Sequence, residues 1–195
     1  MRDGITLYFV RHGETDWNAE RRYQGQRDVP LNDKGREQAR RNGRTLAAIS
    51  PHLSAARFIA SPLGRTRETM ELLRAEMGFT PQDYALDDRL MELSYGTWEG
   101  QLQDELAKID PEGWAARTLD PYRWRPRGGE SYADLLVRSA KWLECIEHDT
   151  IAVSHGGVSR CLRGFELGLD TALIPELESP QDRVLVMTKG AMSWL

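Results

Sequence analysis

Two stretches of the chain share one form, an apolar run followed by a histidine and a glycine. They are Phe9-Val10-Arg11-His12-Gly13-Glu14-Thr15 and Ala152-Val153-Ser154-His155-Gly156-Gly157. A short apolar run bounded by glycine reads as a strand buried on both faces. In an open parallel α/β sheet, ligands bind beyond the carboxyl ends of the strands. Both histidines are therefore expected at the same sheet edge, where the glycines let the backbone turn sharply and approach a ligand. The second stretch runs straight into a helix, whose first amides and dipole favour an anion beside Gly156. A third stretch, Ser61-Pro62-Leu63-Gly64-Arg65, also follows a strand and opens a helix. A cation in a first helical turn opposes the dipole, so stability does not explain Arg65, whereas an anionic ligand does. Arg11, Arg65, His12 and His155 would surround a dianion with planar forks and imidazole donors.

These groups need a scaffold, and the remaining pattern supplies one. Strands are expected at Ile5–Val10, Arg57–Ala60, within Tyr84–Leu90, at Thr150–Ser154, and as a terminal pair at Arg183–Thr188 and Ala191–Leu195. Helices are expected at Asp33–Ile49, capped by Asn32 or Asp33 and ended by Pro51, and at Leu63–Met77, stopped by Gly78. Two more follow, Tyr132–Ile146 with Ser131 as cap and Val158–Leu167. Residues 11–35 are polar and glycine-bearing and read as a long ordered loop, which inside a compact domain is usually functional. Residues 102–127, broken by Pro111, Pro121 and Pro126, read as short helices over one face. Alternating strands and helices predict a three-layer α/β/α fold with a mostly parallel mixed sheet flanked by helices. The chain is expected to form a single domain over residues 1–195, with an insertion at about 99–130 as a small helical cap.

Composition narrows the function. The 195 residues carry 26 Lys+Arg against 30 Asp+Glu, a net charge of −4, which argues against generic binding to nucleic acid or anionic membrane. With 40% hydrophobic and 29% charged residues, the chain reads as globular rather than disordered. Of the 26 basic residues 22 are arginine, a bias that fits a GC-rich genome, so only arginines at special positions are argued individually. Two cysteines, Cys145 and Cys161, make no disulfide framework. The apolar run near the start is too short for a signal core or a membrane span, so a cytoplasmic location is expected.

Taken in order, Arg11-His12-Gly13-Glu14-Thr15, Ser61-Pro62-Leu63-Gly64-Arg65, Leu90-Met91-Glu92-Leu93-Ser94-Tyr95-Gly96-Thr97-Trp98-Glu99-Gly100 and Ser154-His155-Gly156-Gly157 resemble the histidine phosphatase, or phosphoglycerate-mutase-like, superfamily. The stretches Gln24-Gly25 and Pro30-Leu31-Asn32-Asp33-Lys34-Gly35 match the loop after its first motif, although the commoner form carries Thr near Asn32. The resemblance implies that His12 is the nucleophile that takes the phosphoryl group. It implies that Arg11, Arg65 and His155 form the cationic pocket and that Asn18, Gln24, Gly25 and Gly156 complete the phosphate site. It implies that Glu92 protonates the leaving oxygen and then serves as base for water. Phosphoryl transfer asks mainly for positioning and for charge stabilisation on three equatorial oxygens. Two arginines and a histidine could supply that, so neither metal nor other cofactor is expected. His12 must be neutral at its attacking nitrogen, which neighbouring cations favour, whereas an acid Glu92 needs partial burial, as near Leu90, Leu93 and Trp98.

Other readings are set beside these. Glu99 is a nearby competitor for the acid role. His52, His148 and Arg67 read as surface residues, and Cys161 as core packing. Gly157-Val158-Ser159-Arg160-Cys161 lacks the closing glycine of a nucleophile elbow. The Gly128-Gly129-Glu130-Ser131 lead into a helix resembles the shorter phosphatase branch, so a phosphomonoesterase is expected. Phosphoglycerate mutase is the alternative, and a silent phosphate-ligand sensor a further one. The substrate would be a small phosphate ester (sugar phosphate, phosphoglycerate-like or ribazole phosphate), with a homodimer left open. Arg123, Arg125 and Arg127 read equally as residues over the pocket mouth, facing a second anionic group, and as residues that only pack and solvate the cap.

Overall fold

The computed structural model describes residues 1–49, 53 and 55–195. Among them six strands form one sheet: β1 (Leu7–Arg11), β2 (Arg57–Ala60), β3 (Ala85–Leu86), β4 (Thr150–Ser154), β5 (Val184–Thr188) and β6 (Ala191–Trp194). The order is β3-β2-β4-β1-β5-β6. The first four run parallel, and β5 and β6 add an antiparallel edge beside β1. The fold is therefore α/β with a mixed, mostly parallel open sheet. β1 and β4 pair with Val10 opposite Val153 and Arg11 opposite Ser154, which brings His12 and His155 level just past the strand ends.

The helices are α1 (Asp16–Ala19), α2 (Asp33–Ala48), α3 (Gly64–Glu76), α4 (Leu106–Ile109), α5 (Pro111–Leu119), α6 (Tyr132–Glu144) and α7 (Gly156–Glu166). Strand side chains alternate between faces, and the core divides accordingly. Leu7, Phe9, Ala152 and Leu185 pack against Leu135 and Leu143 of α6 and Leu162 of α7. Val10, Ile151 and Val153 face the other way, onto Leu46 of α2 and Met70 and Leu73 of α3. Every residue of β4 is buried, which is why it reads as an unbroken apolar run. Burying a Leu- or Val-sized side chain contributes about 1.5–3 kcal/mol, so these two layers fix the strand ends that carry the site.

Several expectations are refined. The strand sought within Tyr84–Leu90 is only Ala85–Leu86, because Asp87 then caps a 3₁₀ turn, accepting from the Arg89 amide at 2.9 Å and from its guanidinium at 2.6 Å. The loop over 11–35 contains α1, started by a capping box in which Thr15 and Asn18 bond each other's backbones. The last long helix begins at Gly156, two residues before the expected start, with His155 at its N-cap making no side-chain cap bond. Asn32 is the N-cap of α2, its oxygen accepting from Gly35 N at 2.9 Å, so it does a threonine's work at that position. Cys161 is buried in the core. His148 is exposed, whereas His52 and Pro51 lie outside the described residues.

The segment carrying α4 and α5 packs around Trp98 with Tyr23, Leu106, Trp114 and Trp124. Trp98 is buried and donates from Nε1 to Asp110 Oδ2 at 2.8 Å, while the other oxygen of Asp110 caps α5. No described helix is long and apolar enough to cross a membrane.

Candidate active site

A cavity of about 150 Å³ opens at the carboxyl ends of β1 and β4, lined by Arg11, His12, Asn18, Gln24, Gly25, Arg65, Glu92 and Gly156 among others. The two rings, His12 and His155, are edge-to-face with centroids 5.2 Å apart. Hydrogen bonding decides their tautomers. His12 Nδ1 lies 2.7 Å from the Gly13 carbonyl, which can only accept, so Nδ1 carries the proton and Nε2 keeps its lone pair. Arg65 Nε donates to that Nε2 at 3.3 Å, a long contact. Arg65 Nη2 donates to His155 Nδ1 at 3.2 Å, so the opposite nitrogen of His155 carries the proton and donates to Ser61 Oγ at 2.8 Å. Burial, then Arg65, then Arg11 hold His12 well below the usual histidine range, and burial and Arg65 do the same for His155.

Arg65 sits in the first turn of α3 as expected but is turned inward and 1% exposed. Its fork donates to the carbonyls of Arg27 and Gly25, both at 2.7 Å, so its orientation is set before any ligand arrives. Gln24 completes this wall, and turning its amide so that the oxygen faces Arg65 puts that oxygen 3.2 Å from Nε. Gly25 has φ +54°, and a Cβ there would meet Glu99 Oε1 at 2.2 Å, so glycine is required. Arg11 donates from Nη1 to Ser179 O at 2.6 Å, while its Nε is buried with no partner among the described residues. That unspent donor lies beside Gly156 at the start of α7, where a Cβ would come within 3.4 Å of it. Burial lowers Arg11 and Arg65 to about 10 each.

Glu92 enters from the other side. Its Oε1 accepts from Leu93 N at 2.8 Å, and its two oxygens lie 3.1 and 3.2 Å from Gly157 N in the first turn of α7. A Cβ on Gly157 would come within 2.4 Å of Oε1, which explains the second glycine after His155. Glu99 is elsewhere: Oε1 accepts from Gln26 N at 3.0 Å and Tyr95 N at 3.1 Å, and it lies outside the cavity lining. Its role is to fold the loop under Gly25.

The arginines considered for the mouth are not there. Arg123 and Arg127 are exposed and line no part of the cavity, and Arg125 pairs with Asp134 at 2.6 Å on the surface. The rest of the cavity lining comes instead from Arg22, Tyr23, Tyr95, Gln103 and Arg160. Sequence reasoning missed these because an aromatic or arginine without a motif looks like core or surface. Also missed was the strap before β5. Consecutive carbonyls of Leu177, Glu178 and Ser179 accept from Arg160, Arg163 and Arg11. Gln181 Nε2 then donates to His12 O and to Asn18 Oδ1, each at 3.1 Å. Among the described residues no three of His, Cys, Asp and Glu are gathered as a metal would need.

A site of two neutral histidines, two buried guanidiniums, helix amides and one opposing carboxyl can hold a dianion and exchange a proton beside it. The comparisons agree with that chemistry. Residues 7–192 match the model of the histidine phosphatase superfamily, branch 1. The chain is 39% identical over 171 residues to the probable phosphoglycerate mutase GpmB of Salmonella choleraesuis, covering 85% of this chain and 76% of that one. Its fold is similar to mycobacterial glucosyl-3-phosphoglycerate phosphatase solved with VO3, with TM-score 0.78, 27% identity, and 98% and 96% of the two chains covered. A putative alpha-ribazole-5'-P phosphatase of Escherichia coli shares the fold at TM-score 0.82 and 23% identity, over 99% and 95% of the chains.

Proposed function

The chain belongs to the histidine phosphatase superfamily, branch 1, and from that premise we propose that it is a metal-independent phosphomonoester hydrolase working through a phosphohistidine on His12. The observation that carries this reading is the His12 ring. Its proton is fixed on Nδ1, its Nε2 lone pair is flanked by Arg65, and Arg11 and Glu92 line the same cavity. In the first step His12 Nε2 attacks phosphorus and the bond to the ester oxygen breaks. The carboxyl of Glu92 gives its proton to that oxygen. In the second step water attacks the phosphohistidine, its proton goes to the Glu92 carboxylate, and His12 leaves with its electron pair. Arg65 exchanges its long contact with Nε2 for the phosphoryl oxygens, and the unspent Nε of Arg11 and the amides of α7 serve the same charge. Covalent capture divides one hard displacement into two easier ones.

The cavity is small beside the roughly 300–1,000 Å³ of drug-sized pockets, which favours a small organic phosphate. Similar solved structures titled glucosyl-3-phosphoglycerate phosphatase and putative alpha-ribazole-5'-P phosphatase support an organic phosphate ester as substrate. The 39% identity to a probable mutase supports a second reading, phosphoryl transfer between positions of phosphoglycerate. One assay separates them. Phosphate release is measured in excess EDTA from small phosphate esters including 3-phosphoglycerate, for wild type and His12→Ala. The expected result is EDTA-resistant release that His12→Ala abolishes. Conversion of 3-phosphoglycerate to 2-phosphoglycerate on addition of 2,3-bisphosphoglycerate, without net release, would replace the hydrolase by the mutase. Binding without either reaction would identify a sensor.

A further inference from the structure

Glu92 lies in a segment with neither helix nor strand, between the 3₁₀ turns Asp88–Leu90 and Gly96–Trp98. A proton donor must be held within hydrogen-bond reach of the leaving oxygen, and irregular backbone does not do that alone. One guanidinium on α6 grips this segment. Arg138 Nη1 donates to the carbonyls of Arg89 at 2.8 Å and Met91 at 2.6 Å, and Nη2 donates to the carbonyl of Glu92 itself at 2.9 Å. The remaining donors go to Glu130, Nε to Oε1 at 3.1 Å and Nη2 to Oε2 at 3.0 Å. All five N–H groups that a guanidinium owns are thus committed. Glu130 Oε2 also accepts from Ser94 N at 3.0 Å, so the pair holds the backbone on both sides of Glu92.

The grip is anchored on a regular element. α6 starts with a capping box at Ser131 and buries Leu135, Ser139, Trp142 and Leu143. Arg138 does not line the cavity and touches no group that reacts. Its charge is met by Glu130, so its bonds to three backbone carbonyls are not explained by ion pairing alone. We propose that Arg138, with Glu130, is the positioning residue for the general acid, setting where the Glu92 carboxyl meets the leaving oxygen. This rests on the reading of Glu92 as acid given above. Lysine cannot replace the fork, because an ammonium lacks the planar set of donors that three carbonyls and a carboxylate require together.

The test uses leaving groups of different need. An alkyl phosphate expels an alkoxide and requires a proton, whereas p-nitrophenyl phosphate expels a stable anion and does not. The reading is kcat/KM, which covers steps up to departure of the leaving group. Glu92→Gln sets the reference, with a loss of roughly 10²–10⁴-fold on the alkyl ester and far less on the aryl ester. Arg138→Lys and Arg138→Gln are expected to lose roughly 10–100-fold on the alkyl ester while p-nitrophenyl phosphate turnover stays within about threefold. Glu130→Gln should show the same selectivity with smaller size. Retained aryl turnover reports an intact fold. Equal losses on both esters, or none, in Arg138→Lys and Glu130→Gln would overturn the proposal while leaving the acid standing. A Glu92→Gln variant without leaving-group selectivity would remove the acid, and the positioning role with it.

Discussion

His12 and His155 are both buried with one ring nitrogen engaged as donor and the other as acceptor, which leaves no room for a second proton in the free protein. Burial and the cations around them hold both well below the unfolded histidine value of 6.5. The sign follows from linkage. Below 6.5 the unfolded chain binds protons that the folded one refuses, so these residues contribute stability that is fully present above 6.5 and is lost as pH falls. Two such groups give a slope of about 1.4 kcal/mol per pH unit at 6.5 that approaches about 2.7 roughly a unit lower. The urea midpoint is therefore expected to fall between pH 6.5 and 5, and the fall should be shallower in the His12→Asn, His155→Asn double variant. A midpoint indifferent to pH in that range would contradict the burial of neutral rings. Catalysis should also persist below pH 6, since the nucleophile stays unprotonated. At this scale the candidate site was legible in the sequence, because Arg11, His12, Arg65, Glu92 and His155, which the fold brings together, stand in short motifs. Arg138 and Gln181 were not, because each works through bonds to the backbone of residues 46 or more positions away.

Among the elements, the loop from β1 to α2 is held by a close approach of two glycines. A Cβ on Gly13 would meet Gly35 O at 2.1 Å, and one on Gly35 would meet Glu14 O at 2.1 Å. Propensity alone says that Gly35→Ala, in the first turn of α2, stabilises the helix by up to about 1 kcal/mol. The contact reverses the sign, since overpacking against backbone costs about 1–3 kcal/mol. Gly35→Ala is expected to lower Tm by several degrees and to weaken inhibition by inorganic phosphate, because Gly13 carries the backbone of His12. A raised Tm with unchanged inhibition would show that the loop yields. The main helices and strands were readable from apolar spacing and caps, as with Ser131 and Asn32. The third strand was readable in place but not in length, because Asp87 folds back on Arg89 and stops it after two residues. The strap over Leu177–Gln181 was hidden, since it acts through carbonyls that every residue type owns.

Over the whole molecule, a net charge of −4 coexists with a cavity that gathers four arginines, Arg11, Arg22, Arg65 and Arg160. The acidic surface therefore says nothing of the ligand, and the local field does. The cluster around Trp98 shares Tyr23 with the cavity lining, so the packing of α4 and α5 bears on the cavity wall. Arg123 and Arg127 are exposed and stand apart from it, since only the folded chain tells which side chains turn inward. All of this converges on one atom, Nε2 of His12. Wild type and His12→Ala are mixed with a ³²P-labelled phosphate ester, quenched in alkali within the first turnover, and digested to locate protein-bound label. Wild type is expected to carry alkali-stable, acid-labile label on His12, and the variant neither label nor turnover. Label on another residue, or hydrolysis by His12→Ala at the wild-type rate, would contradict it.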